Sequence, residues 1–173
     1  QKLHEVALAD TAFGQRFLRT LQHRYGKAPH FDAVFEQLSE SVPPLVRDGS
    51  LVGLNEGLIR LISGWLGISS RTRRASELMV AGTRSERLVN LCKAVGADQY
   101  LSTAGARAYL QKDVKQFSDN AIVVSVHRYT HPTYRQLHHP FLSHVSALDL
   151  VMMYGSESKD IMHSARGDWD AIS

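Results

Sequence analysis

The residues best suited to chemistry lie in one stretch, from His127 to Asp149. This stretch holds five of the nine histidines of the 173-residue chain, together with two tyrosines and two prolines. Imidazole can carry a proton near neutral pH or bind a transition metal. If a strand continues through Tyr129, alternate residues such as His127 and His131 share one face. They could then bind zinc, iron or nickel, with Asp149 as an added oxygen ligand.

Three interpretations of these histidines remain open: a metal site, a role in substrate contact or acid–base chemistry, and an ordinary structural role. Pro132 and Pro140 break the stretch into turns and no carboxylate lies inside it, so we expect no bound metal. We favour substrate contact or acid–base chemistry. His131 and Tyr134 are the first candidates, because His131 precedes a proline that fixes the backbone and either side chain could relay a proton.

Asp149 is a further catalytic candidate because of its neighbours. It stands among Leu148, Leu150, Val151 and Met152 in a segment predicted to be helical. A carboxylate in such apolar company is either a paired buried charge or a catalytic group with a shifted pKa. The sequence leaves both roles open.

An arginine-rich region forms a candidate anion site, with Arg71, Arg73, Arg74, Arg84 and Arg87. Thr83 and Glu86 have the spacing of a capping box, which predicts that a helix begins there and turns free amide groups and its positive dipole end toward a ligand. A strand predicted over 68–76 would place Arg71 and Arg73 on one face and Arg74 on the other. Capping boxes and exposed arginines also occur without any ligand, which is the alternative interpretation.

Composition favours a cytoplasmic protein with anionic partners. The formal charge of +3 and the pI near 9.1 fall short of a dedicated nucleic-acid binder. A small anionic metabolite or a nucleotide-linked substrate therefore fits as well as tRNA. The single Cys92 excludes an internal disulfide and fits a reducing compartment. No apolar run could span a bilayer, so we expect no membrane insertion. Without a Walker, GxGxxG, GxSxG or HExxH motif, we also expect no cofactor.

The periodicity of apolar residues predicts an α/β fold: a helix-rich layered domain with a small, mainly parallel central sheet. The strand at 121–126 is apolar at nearly every residue, as in a sheet covered on both faces. Prolines at 43 and 44 should stop the second helix or start a further turn, and the tail 166–173 should be irregular. The predicted helices cover about 11–25, 31–42, 54–65, 83–95, 104–110, 145–153 and 157–165, and the predicted strands cover 68–76, 99–102 and 121–126.

Three segments together resemble the WbqC-like proteins of bacterial O-antigen and other surface-polysaccharide gene clusters. They are YGKAPHF at 25–31, GTRSERLVNLCKAVGADQYLSTAGARAYL at 82–110 and HPTYRQLHHPFLSHVSALDLVMMYG at 131–155. The resemblance covers essentially the whole chain. The positions that match the family pattern are Arg87, Gly96, Ala97, Tyr100, Tyr134, Gln136, Phe141, Ser146, Asp149 and Gly155.

The resemblance implies one WbqC-like domain over residues 1–173 that lacks its N-terminal segment. Family members usually open with a strand, a histidine-glutamine-proline motif and an Asp-Asp segment, and none of these is present. It also implies acyl or aminoacyl transfer to an amine or sugar-type acceptor, in the biosynthesis of polysaccharides or specialised metabolites. Tyr100 and Gln136 then join Arg73, Arg84 and Arg87 as substrate-binding candidates.

Two other functions stand beside this transferase hypothesis. A non-catalytic module could bind a nucleotide sugar, tRNA or a partner enzyme, as the basic charge suggests. A hydrolase could use the histidines to hold a metal ion.

Overall fold

The computed structural model of the protein describes residues 2–165 and 167–172. Over this part of the chain seven α-helices and three strands form. In chain order they are α1 (Phe13–Tyr25), α2 (Phe31–Arg47), α3 (Leu51–Trp65), α4 (Arg84–Val95), β1 (Gln99–Thr103), α5 (Arg107–Ser118), β2 (Val123–His127), α6 (Ala147–Tyr154), α7 (Ser158–Ser164) and β3 (Trp169–Ile172). The chain is 55% helical with a small mixed sheet, which confirms the predicted helix-rich α/β class.

The chain divides into two compact units. Unit 1 contains residues up to 69 and residues 131–164, and unit 2 contains residues 70–130 and the segment from 165 onward. The prediction of a single domain stays a prediction. No helix in residues 2–165 and 167–172 has both the length and the apolar character needed to cross a membrane.

The core of unit 1 is built from the apolar faces of its helices. Leu38 and Val42 on α2 and Met152 on α6 are completely buried. Burying one such side chain contributes roughly 1.5–3 kcal/mol relative to exposure. The apolar stripes that predicted α1, α2 and α3 therefore face this core, as an amphipathic helix requires.

The second helix runs through its two prolines. Helix α2 ends at Arg47, with Pro43 and Pro44 inside it, so the prediction that the prolines stop it was wrong. A proline at these positions removes the bonds to the carbonyls of Ser39 and Glu40. Both prolines are exposed, so water can satisfy those carbonyls and the helix continues.

Unit 2 packs two helices against one face of a three-stranded sheet. The strand order is β1-β2-β3, with β1 parallel to β2 and β3 antiparallel to it. Leu110 and Phe117 of α5 are completely buried, and Val124 and Val126 of the central strand are only 1% exposed. This confirms β2 as the central strand and β1 as its short partner, but Val123 is 52% exposed, so the predicted cover of the strand on both faces is incomplete. Helix α4 ends at Gly96, whose φ of +68° is a conformation that glycine adopts without strain.

Three sequence predictions in unit 2 were wrong. Residues 68–74 form no regular structure, so no strand presents the arginines on alternate faces. The tail forms β3 from Trp169 to Ile172, while residues 166 and 173 lie outside the described part. On α4 the spacing of Cys92 and Val95 predicts that they share a core face, but Ser85, Val89 and Cys92 form the buried side and Val95 is 52% exposed.

Strand β2 ends at His127. Tyr129 and His131 therefore do not continue its alternation of faces, and the shared face that the metal-site interpretation required is absent. Across the described residues, no group of three or more His, Cys, Asp or Glu side chains could hold a metal ion.

Candidate functional site

The predicted residues Tyr134, Gln136 and Asp149 meet in unit 1. Asp149 lies in the first turn of α6 and is 7% exposed. The Tyr134 hydroxyl donates to Asp149 Oδ2 at 3.0 Å, and Gln136 Nε2 donates to the same oxygen at 3.1 Å. The apolar neighbours of Asp149 in sequence thus bury a carboxylate whose Oδ2 accepts hydrogen bonds from two neutral donors.

Tyr25, at the last position of α1, approaches the same carboxylate and was not predicted. Burial, followed by the charge of Asp149, raises the pKa of Tyr25 to about 12. Burial is also the largest influence that raises the pKa of Tyr134 to about 12. Both phenols therefore stay protonated at neutral pH and act as hydrogen-bond donors rather than as bases.

Gln136 also closes a loop. Its Oε1 accepts from the Leu142 amide at 2.8 Å, and its Nε2 donates to the Leu142 carbonyl at 2.9 Å. Gln136 is 8% exposed whereas Leu142 is 61% exposed. The buried side-chain amide of Gln136 thus binds both the N–H and the carbonyl of the exposed Leu142. We call residues 131–142, which contain three histidines, the histidine loop.

The position of Asp149 explains how its charge is tolerated. No ion pair of the described residues includes it. A carboxylate in the first turn of a helix interacts favourably with the positive end of the helix dipole. Together with the hydrogen bonds, this dipole takes the place of a cationic partner.

His131 packs into an aromatic group within unit 1. Its ring lies 4.7 Å from that of His144, 6.0 Å from Phe141 and 6.1 Å from Tyr134. Its Nδ1 lies 2.8 Å from the Pro132 carbonyl oxygen. The structure therefore places His131 beside Tyr134, with one ring nitrogen engaged by the backbone.

A cavity of about 350 Å³ lies next to this network, and we call it the cationic cavity. It is lined by Lys27, Pro29, Arg135, Gln136, Leu137, His139, Met153 and Tyr154. Three of these side chains can be positive and none is acidic. The Arg135 amide donates to the Tyr154 hydroxyl at 3.1 Å, which fixes the main chain of the loop at the cavity wall.

The polar ends of the three basic side chains of the cavity are uncommitted. Among the described residues, His139 makes no hydrogen bond, and neither Lys27 nor Arg135 forms an ion pair through its side chain. All three are exposed. They can therefore contact a ligand without first breaking protein contacts.

The predicted anion site in unit 2 is only partly assembled. Thr83, Arg84, Ser85, Glu86, Asp113 and Gln116 line a cavity of about 460 Å³, so Arg84 shares it with two carboxylates. Arg73 and Arg87 are exposed and do not line it. Thr83 is the N-cap of α4 but makes no side-chain cap bond, so the predicted capping box is absent.

Tyr100 is half-buried in unit 2. Its ring stacks on Phe117 at 5.5 Å, and burial raises its pKa. Its position on the α5 side of the sheet makes it part of the core of unit 2, and its substrate-binding role stays a prediction.

The fold and this network together define a helix-rich α/β protein with a buried Tyr–Gln–Asp network beside an open cationic cavity. The chain belongs to the WbqC-like protein family, whose model matches residues 1–161. An uncharacterized protein of Mycobacterium tuberculosis is 31% identical over 169 residues, which cover 96% of this chain and 71% of that protein. No solved structure matches the chain significantly.

Sequence reasoning missed Tyr25, Lys27, Arg135 and His139 as site residues. Tyr25 is the last residue of the apolar stripe of its helix, which predicts that its ring packs in the core. No neighbouring residue in the sequence indicates its contact with Asp149. Lys27 lies in the connection between two predicted helices, which indicates exposure but no ligand. The usable signal was the alternation of basic and aromatic residues in the YGKAPHF and TYRQLHH segments, because both line the same cavity.

Proposed function

We propose that the protein is a group-transfer enzyme that moves an acyl or aminoacyl group onto an amine or sugar-type acceptor. Membership of the WbqC-like family supports a setting in surface-polysaccharide or specialised-metabolite biosynthesis. The observation that carries the proposal is His139, an exposed imidazole with uncommitted nitrogens on the wall of the cationic cavity. Imidazole is the side chain best suited to proton transfer near neutral pH.

The proposed reaction needs an activated donor, an ester or thioester of the acyl group. The acceptor nitrogen or oxygen attacks the carbonyl carbon of the donor, forming a C–N or C–O bond. His139 takes the proton that the attacking atom loses. As the C–O or C–S bond to the leaving group breaks, His139 returns that proton to the departing oxygen or sulfur. Lys27 and Arg135 hold an anionic part of a substrate in the same cavity.

In this proposal Tyr134 and Asp149 position the histidine loop. The Tyr134 hydroxyl and Asp149 Oδ2 are directed at each other, and Gln136 joins the same oxygen to the loop backbone. A shift in this network would move His139 relative to the substrate, and displacements of about 1 Å can cost about a hundredfold in rate. The catalytic assignment of His131, Tyr134 and Asp149 stays a prediction.

The substitution His139→Asn tests the proposal directly. A strain lacking the gene should lose a pathway product, and the wild-type gene should restore it whereas the H139N gene should not. The matched control is His138→Asn, because His138 is also exposed but does not line the cavity. Full restoration by H139N, with the purified variant as stable as the wild type, would refute His139 as the acid–base group.

His131→Ala and Asp149→Asn separate direct from positional roles. If these residues act through the loop, product formation should fall together with the thermal stability of the purified variants. If either variant keeps wild-type stability and loses all product, that residue acts in the chemistry itself.

A non-catalytic binding module is the second candidate function. A further cavity of about 370 Å³ is lined by Arg19, Thr20, His23 and Arg24 on the exposed face of α1, a helix without acidic residues. Such a face favours a nucleotide sugar or tRNA. Thermal shifts with nucleotides, nucleotide sugars and tRNA at low and high salt would test it, because binding through phosphates weakens steeply with salt.

A further inference from the structure

We infer that the cationic cavity binds the phosphoryl group of a small phosphorylated molecule through Lys27 and Arg135. This inference rests on the proposed function only in placing the phosphorylated molecule beside His139. Neither residue was among those the sequence singled out for binding.

The charge of the cavity matches a dianion. Lys27 and Arg135 contribute two permanent positive charges, and no acidic residue lines the cavity to offset them. A phosphomonoester carries roughly −1.5 to −2 at neutral pH, whereas a carboxylate or a sulfate ester carries a single negative charge. Arginine can also bind a phosphoryl group through two parallel hydrogen bonds, while lysine acts as a compact point charge.

The two cations come from segments that are independently anchored. Lys27 lies in the connection between α1 and α2, next to Ala28, which is 8% exposed. Arg135 lies in the histidine loop, between Tyr134 and the buried Gln136, and its amide donates to the Tyr154 hydroxyl. Each backbone is therefore fixed while its side chain stays available to the ligand.

Three of the other lining residues are apolar. Pro29, Leu137 and Met153 line the same cavity as the cations. A volume of about 350 Å³ is at the small end of the range for ligand sites, roughly 300–1,000 Å³. The cavity thus suits a compact molecule with a charged end and an apolar or ring-shaped body.

Calorimetric titration of the full chain with three ring compounds tests the inference. Phenyl phosphate, phenyl sulfate and benzoate share the ring, and only phenyl phosphate carries more than one negative charge at neutral pH. Phenyl phosphate should bind about tenfold or more tightly than the other two, as expected when a second charge-assisted contact forms. Equal binding of phenyl sulfate would overturn the assignment to a phosphoryl group.

Single substitutions locate the binding. Lys27→Ala and Arg135→Gln should each weaken phenyl phosphate binding about tenfold. The matched controls Lys112→Ala and Arg47→Gln remove exposed cations that do not line the cavity, and they should leave affinity unchanged. If the control substitutions weaken phenyl phosphate binding as much as the cavity substitutions do, the ligand responds to the overall charge of the protein and the proposed site is wrong.

The H139N variant distinguishes failure of this inference from failure of the proposed function. Loss of product in H139N without selective phosphate binding in the wild type would keep the transferase and reject the phosphoryl site. Selective binding that depends on Lys27 and Arg135, combined with full activity of H139N, would keep the site and reject His139 as the acid–base group.

Discussion

The two units each contain an aspartate that joins segments distant in sequence, and they hold its charge in opposite ways. Asp170 on β3 pairs with Arg107 at 2.9 Å and with Arg128 at 3.1 Å, and its side chain is 32% exposed. Asp149 on α6 is 7% exposed and is held by phenol, amide and helix dipole. One carboxylate is balanced by cations at the surface, and the other is buried among neutral donors.

This difference predicts which contacts matter for stability. Water and salt screen the charges around Asp170, so exposed ion pairs of this kind contribute about 0–1 kcal/mol. Asp149 and Gln136 are buried and Tyr134 is half-buried, and each donor left unsatisfied in such a place costs about 1–3 kcal/mol. The buried site should therefore be the more sensitive by several fold.

The largest expected effect comes from Asp149→Ala. This change leaves the buried donors of Tyr134 and Gln136 without their acceptor, and we expect the free energy of unfolding to fall by about 3 kcal/mol. Chemical denaturation measures it. A loss under about 1 kcal/mol would mean that the donors find other partners, and the contrast with Asp170 would fail.

Alkaline pH should weaken unit 1 through its two half-buried phenols. The pKa of Tyr25 and of Tyr134 is raised to about 12 in the folded protein, from 10.0. The folded state thus favours the protonated phenol. Its contribution to stability is complete below pH 10 and is lost as the pH rises from about 10 to about 12.

Denaturation curves over this pH range test the tyrosine contribution. Tyr25→Phe and Tyr134→Phe should each make the alkaline loss of stability smaller. Tyr109→Phe is the matched control, because Tyr109 is 48% exposed, and it should leave the loss unchanged. An identical alkaline loss in all three variants would contradict burial as its cause.

The smallest effect is expected from Asp170→Asn. Because its partners are partly exposed, stability should fall by about 0.5–1 kcal/mol in low salt, and the difference should shrink as salt is added. Asp149→Ala should lose stability equally at both salt concentrations. A large, salt-independent loss in D170N would show that the unit 2 carboxylate is effectively buried as well.

Much of the fold could be predicted because local patterns and packing agree. The stripes of α1, α2 and α3, the end of α4 at Gly96 and the apolar strand β2 each carry their own signal. The strand β3 carries none, because WDAI becomes a strand only by pairing with Val124–His127, about 45 residues away in sequence. Residues 68–74 show the opposite case. Their sequence predicts a strand, but they form no regular structure because no partner strand pairs with them.

The site could be predicted in part for the same reason. Tyr134, Gln136 and Asp149 were found through family resemblance and local composition, and the structure brings them together. Tyr25, however, joins them from more than a hundred residues earlier in the chain. The shared cavity of Lys27 and Arg135 likewise depends on how α2 and α6 pack, which no spacing in the sequence encodes.

The hydrogen bonds between Gln136 and Leu142 affect the conformational entropy of the histidine loop and the hydrogen exchange of the Leu142 amide. Ordering a flexible loop at the moment of binding normally reduces affinity. Here a buried amide ties the two ends of residues 136–142 during folding, so a ligand reaching His139 meets a segment that has already lost that freedom. The Leu142 amide should accordingly exchange with deuterium slowly for a residue whose side chain is 61% exposed, at a rate governed by opening of the Gln136 contact rather than by access of water.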